Sequence, residues 1–287
     1  MIKAVIPVAG RGTRLLPATK SVPKEMLPLV DRPALFYTVQ EAVEAGATEI
    51  IFITSRHKPS IEHFFNPDPE LESLLEKKGQ EKALHEIRKV TSLASYHFIY
   101  QEEPLGLGHA VGLAKNLVGQ NPFLVLLPDE LLLSAPSVSQ SLVQSFQKTN
   151  QSQTAIMWVS REDTSKYGII EGEKRGDLFY IHNVVEKPCA EEAPSQWALP
   201  GRYLFTPEIF DDLENLSPGR GGEIQLTDAM TKLAQKRGLW GLPTTARRID
   251  TGNPLGYLKA QVEMALQRPE LKEPFLKYLS DCQKRHP

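Results

Sequence analysis

PVAGRGTRLLPATKSVPKEMLPLVDRP, residues 7–33, overlaps the end of the apolar run Ile2 to Val8 and carries five prolines and five Lys or Arg residues. An apolar run that ends in glycines is how a phosphate-binding turn after a strand begins. Pro17, Pro23 and Pro28, however, occupy the stretch where a dinucleotide-binding fold places its first crossover helix, and an interior proline removes a helical hydrogen bond and clashes with the preceding turn. Such a site also needs a second strand ending in an acid about 20 residues on. Asp31 has the spacing, but KEMLPLVD, with Pro23, Pro28 and Pro33 around it, reads as no strand. The ATPase phosphate loop is excluded because no Gly-Lys-Ser/Thr follows the glycines. The segment is therefore a glycine turn feeding an extended, proline-stiffened basic loop.

Outward from this loop the pattern alternates between strand and helix. Strand-like runs fall at Ile2 to Val8, Glu49 to Thr54, Tyr96 to Tyr100 and Pro122 to Leu127. Between the first two, Leu35, Phe36, Val39, Ala42 and Val43 share one helical face that Gly46 can terminate. A Glu- and Lys-rich helical region lies within Pro69 to Val90, and GLGHAVGLAKNLV supplies the third crossover. Consecutive parallel strands joined this way build an open sheet, which binds ligands beyond the carboxyl ends of its strands. After about residue 150 the strands shorten, to Thr154–Ser160, Gly168–Gly172 and Leu178–Val185, followed by helical patterns at Ile224 to Lys236 and Leu255 to Leu266. Glu191 to Pro200 reads as a loop. Without a repeat or a low-complexity linker, the second part is expected to extend the sheet of the first.

The 287 residues suffice for a sizeable core. With 41% hydrophobic and 24% charged residues and a net charge of −2, the chain has no global affinity for nucleic acid or membranes, so any anion site is local. Cys189 and Cys282, far apart in a long chain, read as reduced thiols and cannot build a metal cluster. FLVLLPDELLL, the longest apolar stretch, is broken by Pro128, Asp129 and Glu130 and falls short of the ~20 residues of a membrane span. A cytoplasmic protein is expected.

Candidate site residues sit at strand ends. Gly10 and Gly12 permit close approach of backbone amides to an anion; alone, the pair reads equally as a tight turn. Arg14 and Lys24 on the stiff loop shift the balance toward an anion site. LLPDE places Asp129 and Glu130 after an apolar strand, as solvated turn residues or as ligands for Mg²⁺, which favours one or two carboxylates plus phosphate oxygens and waters. Asp250 in ARRIDTGNP is the candidate second carboxylate. Glu186 and Lys187 in VVEKP, Gly168 in YGII and Gln101 in HFIYQ each read individually as structural, although an amide can pair with a base edge by donating and accepting together.

Taken in order, the loop at 7–33, GLGHAV, LPDE, KYGII, VVEKP, GRYLF, GEIQLTDA and DTGNPLGY closely resemble the bacterial UTP–glucose-1-phosphate uridylyltransferases of the sugar-1-phosphate nucleotidyltransferase superfamily, over nearly the whole chain. The resemblance implies an α/β fold: a Rossmann-like mixed, largely parallel sheet flanked by helices. It implies a single domain, residues 1–287, with a nucleotide-binding half to about 150 and a sugar-binding half with C-terminal helices after it. Ala9, Gly10, Gly12 and Thr13 would line the nucleotide together with Glu25, with Gln101 and Gly106 near the uracil. Arg14 and Lys24 would bind the triphosphate, and Asp129 and Asp250 the Mg²⁺. Lys187 would hold the sugar phosphate, and Gly168, Glu186, Gly201 and Glu223 would surround glucose. The substrates would be UTP and glucose 1-phosphate, the assembly a homodimer or homotetramer. Thr251 departs from the DCGN-type endings of the family, and Glu130 receives no role.

Alternatives stand beside this reading. A sister enzyme using dTTP, GTP or another sugar phosphate is one, since an apolar pocket discriminates a methyl group by only ~1–3 kcal/mol. A non-catalytic sugar-nucleotide sensor is a second, disfavoured by a full set of cations and carboxylates. A nicotinamide oxidoreductase is a third, disfavoured by the prolines.

Overall fold

A computed structural model of the chain describes residues 2–219 and 222–285. The chain runs through β1 (Ile2–Pro7), the short β2 (Pro28–Leu29) and β3 (Arg32–Pro33), α1 (Ala34–Glu44), β4 (Ala47–Thr54), α2 (Pro59–Phe65), α3 (Pro69–Lys77), α4 (Glu81–Thr91), β5 (Ser95–Tyr100), α5 (Leu107–Gly112), α6 (Lys115–Val118) and β6 (Phe123–Leu126). It continues with β7 (Glu130–Leu133), α7 (Val138–Thr149), β8 (Gln153–Trp158), β9 (Gly168–Arg175), β10 (Leu178–Glu186), β11 (Trp197–Ala198), β12 (Arg202–Phe205) and α8 (Ile209–Glu214). The last elements are α9 (Leu226–Arg237), β13 (Leu239–Pro243), β14 (Arg247–Asp250), α10 (Pro254–Leu266) and α11 (Pro269–Arg285).

Among the described residues one sheet has the order β11-β9-β10-β13-β8-β12-β6-β1-β4-β5. Its β6-β1-β4-β5 end is parallel, with Val5 opposite Ile51 on one side and Val125 on the other. Strands buried on both faces need apolar residues at successive positions, which is why these four stood out in the sequence. Alternate side chains feed two cores. Val5, Ile51 and Val125 pack toward Phe210, Met230 and Leu233, and Ala4, Ile6 and Phe52 pack toward Leu35, Val39 and Leu142. Beyond β6 the sheet continues through the antiparallel β12, as expected of the second part.

Several expectations change. The loop from residue 9 is not extended but wound into 3-10 turns at Thr13–Leu15, Ala18–Lys20 and Lys24–Met26. Such turns are too short for a proline to interrupt. The helical region of 69–90 is split in two at Gly79, whose φ is +65°. Glu191 to Pro200 is not wholly loop, because β11 pairs with both β8 and β9. Helix α7 was overlooked among serines and glutamines, although Ser137 and Gln140 form a capping box at its start. Helix α11 buries none of its residues, so it offered little pattern to read. No described helix is long and apolar enough to cross a membrane.

Candidate active site

The ends of β1, β4, β5 and β6 open onto a cleft of about 640 Å³. Ala9, Gly10, Lys24, Glu25, Gln101, Gly106, Asp129 and Glu223 all contribute to its wall, so the structure brings together these predicted residues from both parts of the chain. Gly10 leaves open space where a Cβ would stand. Gly12 lies at φ +65°, a region glycine enters freely, and a Cβ there would press on Lys24 at 3.2 Å. Thr13 and Arg14 start the first 3-10 turn rather than facing the cleft wall.

Beside this cleft the predicted cations and carboxylates meet. Lys24 Nζ lies 2.6 Å from Asp129 Oδ2, and Arg14 spans both acids, 3.6 Å from Asp129 and 3.4 Å from Asp250. Asp250 comes into reach because β14 pairs with β7, placing Asp250 opposite Glu130. Thr251 secures the same junction, its backbone N–H and its hydroxyl both donating to the Asp129 carbonyl at 2.8 and 3.1 Å. A Cβ on Gly252 would stand 2.6 Å from Arg14 Nη2, 3.0 Å from Asp250 Oδ1 and 3.1 Å from Asp129 Oδ2, so both carboxylates converge on one point. Burial works to raise the Asp129 carboxyl, but the charge and hydrogen bond of Lys24 outweigh it and hold it below the ordinary range. Lys24 is itself raised: burial opposes its charge, and Asp129 and Glu25 more than compensate.

Among the described residues no group of three or more His, Cys, Asp or Glu can hold a metal. Two hard oxygen donors at one point fit an ion that keeps waters and takes its other ligands from substrate phosphates, which is the habit of Mg²⁺.

Glu25 and Gln101 are placed with more commitment than the sequence suggested. Glu25 is buried, and its Oε2 receives Lys58 Nζ at 2.8 Å while the same ammonium donates to the Val8 carbonyl. Its Oε1 has no hydrogen-bond partner among the described residues. Burial raises the Glu25 carboxyl, with Lys58 and Lys24 opposing. Lys58 was missed, although it follows β4 at a strand's carboxyl end, where ligands were expected. Gln101 turns its amide nitrogen to Gly106 O and to His109 Nδ1, at 3.2 and 2.9 Å.

Of the predicted sugar residues, Gly168, Glu186 and Lys187 lie together outside the cleft wall, Gly201 packs against Leu127, and Glu223 joins the cleft wall beside Gly106. Gly168 lies opposite Glu186 across β9 and β10, and a Cβ there would be 3.4 Å from Glu186 Oε2. Lys187 Nζ lies 3.0 Å from Glu186 Oε1, with its backbone at φ +45°. Gly201, at φ +81°, lets Leu127 approach a site a Cβ would occupy, and accepts the Leu127 N–H at 3.0 Å. Glu223 is drawn to Gly106 by Ile224, which bonds Leu105 and Gly108 through its backbone at 2.7 and 2.8 Å. Glu130 turns to Arg248, 2.5 Å away. Burial pushes its carboxyl up to about 7, with Arg248 pulling the other way.

Residues 3–267 match the nucleotidyl transferase family. A UTP–glucose-1-phosphate uridylyltransferase of Bacillus subtilis is 44% identical over 278 residues, covering 96% of this chain and 95% of the relative. Another, from Staphylococcus epidermidis, is 42% identical over 272 residues and 94% of each chain. Among solved structures, a UTP-bound UGPase from Acinetobacter baumannii superposes with a TM-score of 0.89 at 39% identity, covering 97% of this chain and 99% of its own. A UDP-glucose pyrophosphorylase complexed with UDP-glucose superposes at 0.85, with 39% identity over 93% of this chain and all of that one. Sequence and fold agree, and the chain belongs to the nucleotidyl transferase family, among the UTP–glucose-1-phosphate uridylyltransferases.

Proposed function

We propose that the protein transfers the uridylyl group of UTP to glucose 1-phosphate, giving UDP-glucose and pyrophosphate. The observation that carries this is the ion-paired cluster in which Lys24 reaches Asp129 and Arg14 spans Asp129 and Asp250, beside a cleft walled by Ala9, Gly10, Gln101 and Gly106. The phosphate oxygen of glucose 1-phosphate is already anionic near neutral pH, so attack on the α-phosphorus of UTP needs no general base. It needs two anions brought into line and their charge offset while pyrophosphate leaves, which positioning and electrostatics supply.

Lys24 and Arg14 face the triphosphate, exchanging their contacts with Asp129 and Asp250 for phosphate oxygens. Lys187 receives the sugar phosphate, and Gly168, Glu186, Gly201 and Glu223 surround the glucose. Ala9, Gly10, Gly12 and Thr13 present backbone to the nucleotide, Glu25 stands at its side, and Gln101 and Gly106 meet the uracil. Asp129 and Asp250 would hold Mg²⁺, which when bound offsets charge on the phosphates. The nucleotide half then runs to about residue 150 and the sugar half follows in the same domain. The free thiols of Cys189 and Cys282 support a reducing, cytoplasmic setting, and we extend the reading to a homo-oligomer, dimer or tetramer, which light scattering tests.

Pyrophosphate release is measured with Mg²⁺, glucose 1-phosphate and each of UTP, dTTP and GTP. UTP-dependent release that requires glucose 1-phosphate is expected, and its absence overturns the reading.

A further inference from the structure

Arg202 opens β12, and it heads the large side chains that are fully buried, at 0% exposure. All five of its N–H donors are engaged. Nε reaches Glu41 Oε1 and Oε2 at 3.1 and 3.0 Å, and Nη2 reaches Glu41 Oε2 at 2.8 Å. The remaining donors go to backbone carbonyls: Nη1 to Leu127 at 3.0 Å and Gly201 at 3.2 Å, Nη2 to Glu130 at 2.6 Å. Leu127 and Glu130 bracket Pro128 and Asp129, so one guanidinium pins both ends of the turn that presents Asp129. The anchor is firm. Glu41 stands on α1, and Ser139 at the start of α7 donates its hydroxyl and its N–H to Glu41 Oε1 at 2.6 and 3.2 Å.

A buried ion pair is a poor stability device, because apolar residues of similar volume often serve as well or better. What an apolar residue cannot do is reach separate acceptors in a rigid plane, and lysine's single ammonium reproduces little of that geometry. We propose that Arg202, anchored by Glu41, is a positioning residue that sets the Asp129 carboxylate for a divalent cation and the substrate phosphates. This rests on the metal role assigned to Asp129 above.

The test measures Mn²⁺ binding in the presence of UTP by electron paramagnetic resonance, together with thermal midpoints and kcat. The proteins are wild type, Asp129→Asn, Arg202→Lys, the double variant Arg202→Met/Glu41→Leu, and Phe65→Leu as a core change on α2. Asp129→Asn is expected to abolish specific Mn²⁺ binding, and Arg202→Lys to weaken it about tenfold or more, the order for a partner that orients a metal ligand. The double variant is expected to recover most of the thermal midpoint but not the Mn²⁺ affinity. Phe65→Leu is expected to lose stability and keep the affinity. Wild-type Mn²⁺ affinity in Arg202→Lys or in a folded double variant overturns the positioning role, as does an equal loss in Phe65→Leu. Unchanged affinity in Asp129→Asn overturns the metal reading itself, and this inference with it. If the double variant does not fold, Arg202→Lys decides.

Discussion

Lys24 Nζ and Asp129 Oδ2 stand 2.6 Å apart although 105 residues separate them, which ties the basic loop after β1 to the acidic turn after β6. Neither side chain is more than one-fifth exposed, at 16% and 19%. The pair neutralises itself, and on the proposed role a phosphate approaching Lys24 would replace one anion by another.

On the proposed role, removing Lys24 takes away a triphosphate cation and leaves Asp129 with only the longer contact to Arg14 at 3.6 Å. Lys24→Ala and Asp129→Ala are each expected to lower kcat by ~100-fold or more, the order for losing a preorganised charge stabiliser. Steady-state pyrophosphate assays on purified, folded variants check this. Near-normal turnover of either one removes it from the chemistry.

Gly252 offers a sharper probe, because its place is defined by what a methyl group would meet. It is not among the glycines with positive φ, so alanine is conformationally acceptable there. The new Cβ would nevertheless stand within 3.1 Å of Arg14, Asp250 and Asp129. Gly252→Ala is expected to leave the thermal midpoint within ~2 °C of wild type while cutting turnover by at least about tenfold, the scale of one ~1.4 kcal/mol misplacement. Unaffected turnover would mean that the two carboxylates do not act at that point.

Thr251 joins the two acidic segments through its hydroxyl bond to the Asp129 carbonyl. Thr251→Val removes that bond while keeping the shape, and is expected to cost about 1 kcal/mol of stability. Thr251→Ser keeps the donor and should retain most of it. Denaturant titration distinguishes them; identical losses would assign the effect to packing.

Asp31 and Arg268 tie the β2–β3 turn to the segment between α10 and α11 by a bidentate pair. The hydrogen bonds from Arg268 hold the Asp31 carboxyl below its ordinary value. A depressed acid contributes stability above its unfolded pKa of about 3.9 and loses it as pH falls through the folded value. Asp31 is exposed, so the contribution is at most ~1 kcal/mol. Asp31→Asn should lower the thermal midpoint slightly near neutral pH, and the difference should shrink toward about pH 3. A constant difference across that range would refute the ionic origin.

How much was legible follows from where each signal lies along the chain. β1, β4, β5 and β6 were visible because strands buried on both faces must be apolar throughout. Lys24 and Arg14 stood out as two cations on a proline-stiffened loop after a glycine turn, whereas Asp129 read equally as a solvated turn residue and took its expected role from the family resemblance. Lys58 and Arg202 were not marked, since a lysine in SRHKP or an arginine in GRYLF looks like any solvated cation until its acceptors are known. Apart from the neighbouring Gly201 carbonyl, the acceptors of Arg202 lie 161 residues away at Glu41 and 72 to 75 away at Glu130 and Leu127.

By itself the sequence determined the parallel strands, the refusal of a dinucleotide-type crossover helix after Gly12, and the residue types at each strand end. Those are local consequences of apolar periodicity and of proline's missing N–H. Only the tertiary structure decided that the loop winds into 3-10 turns, that β14 carries Asp250 alongside Asp129, and that Glu25 is held by Lys58. These depend on pairings between distant segments, whose geometry is set by the whole sheet closing over its core rather than by any stretch of neighbours.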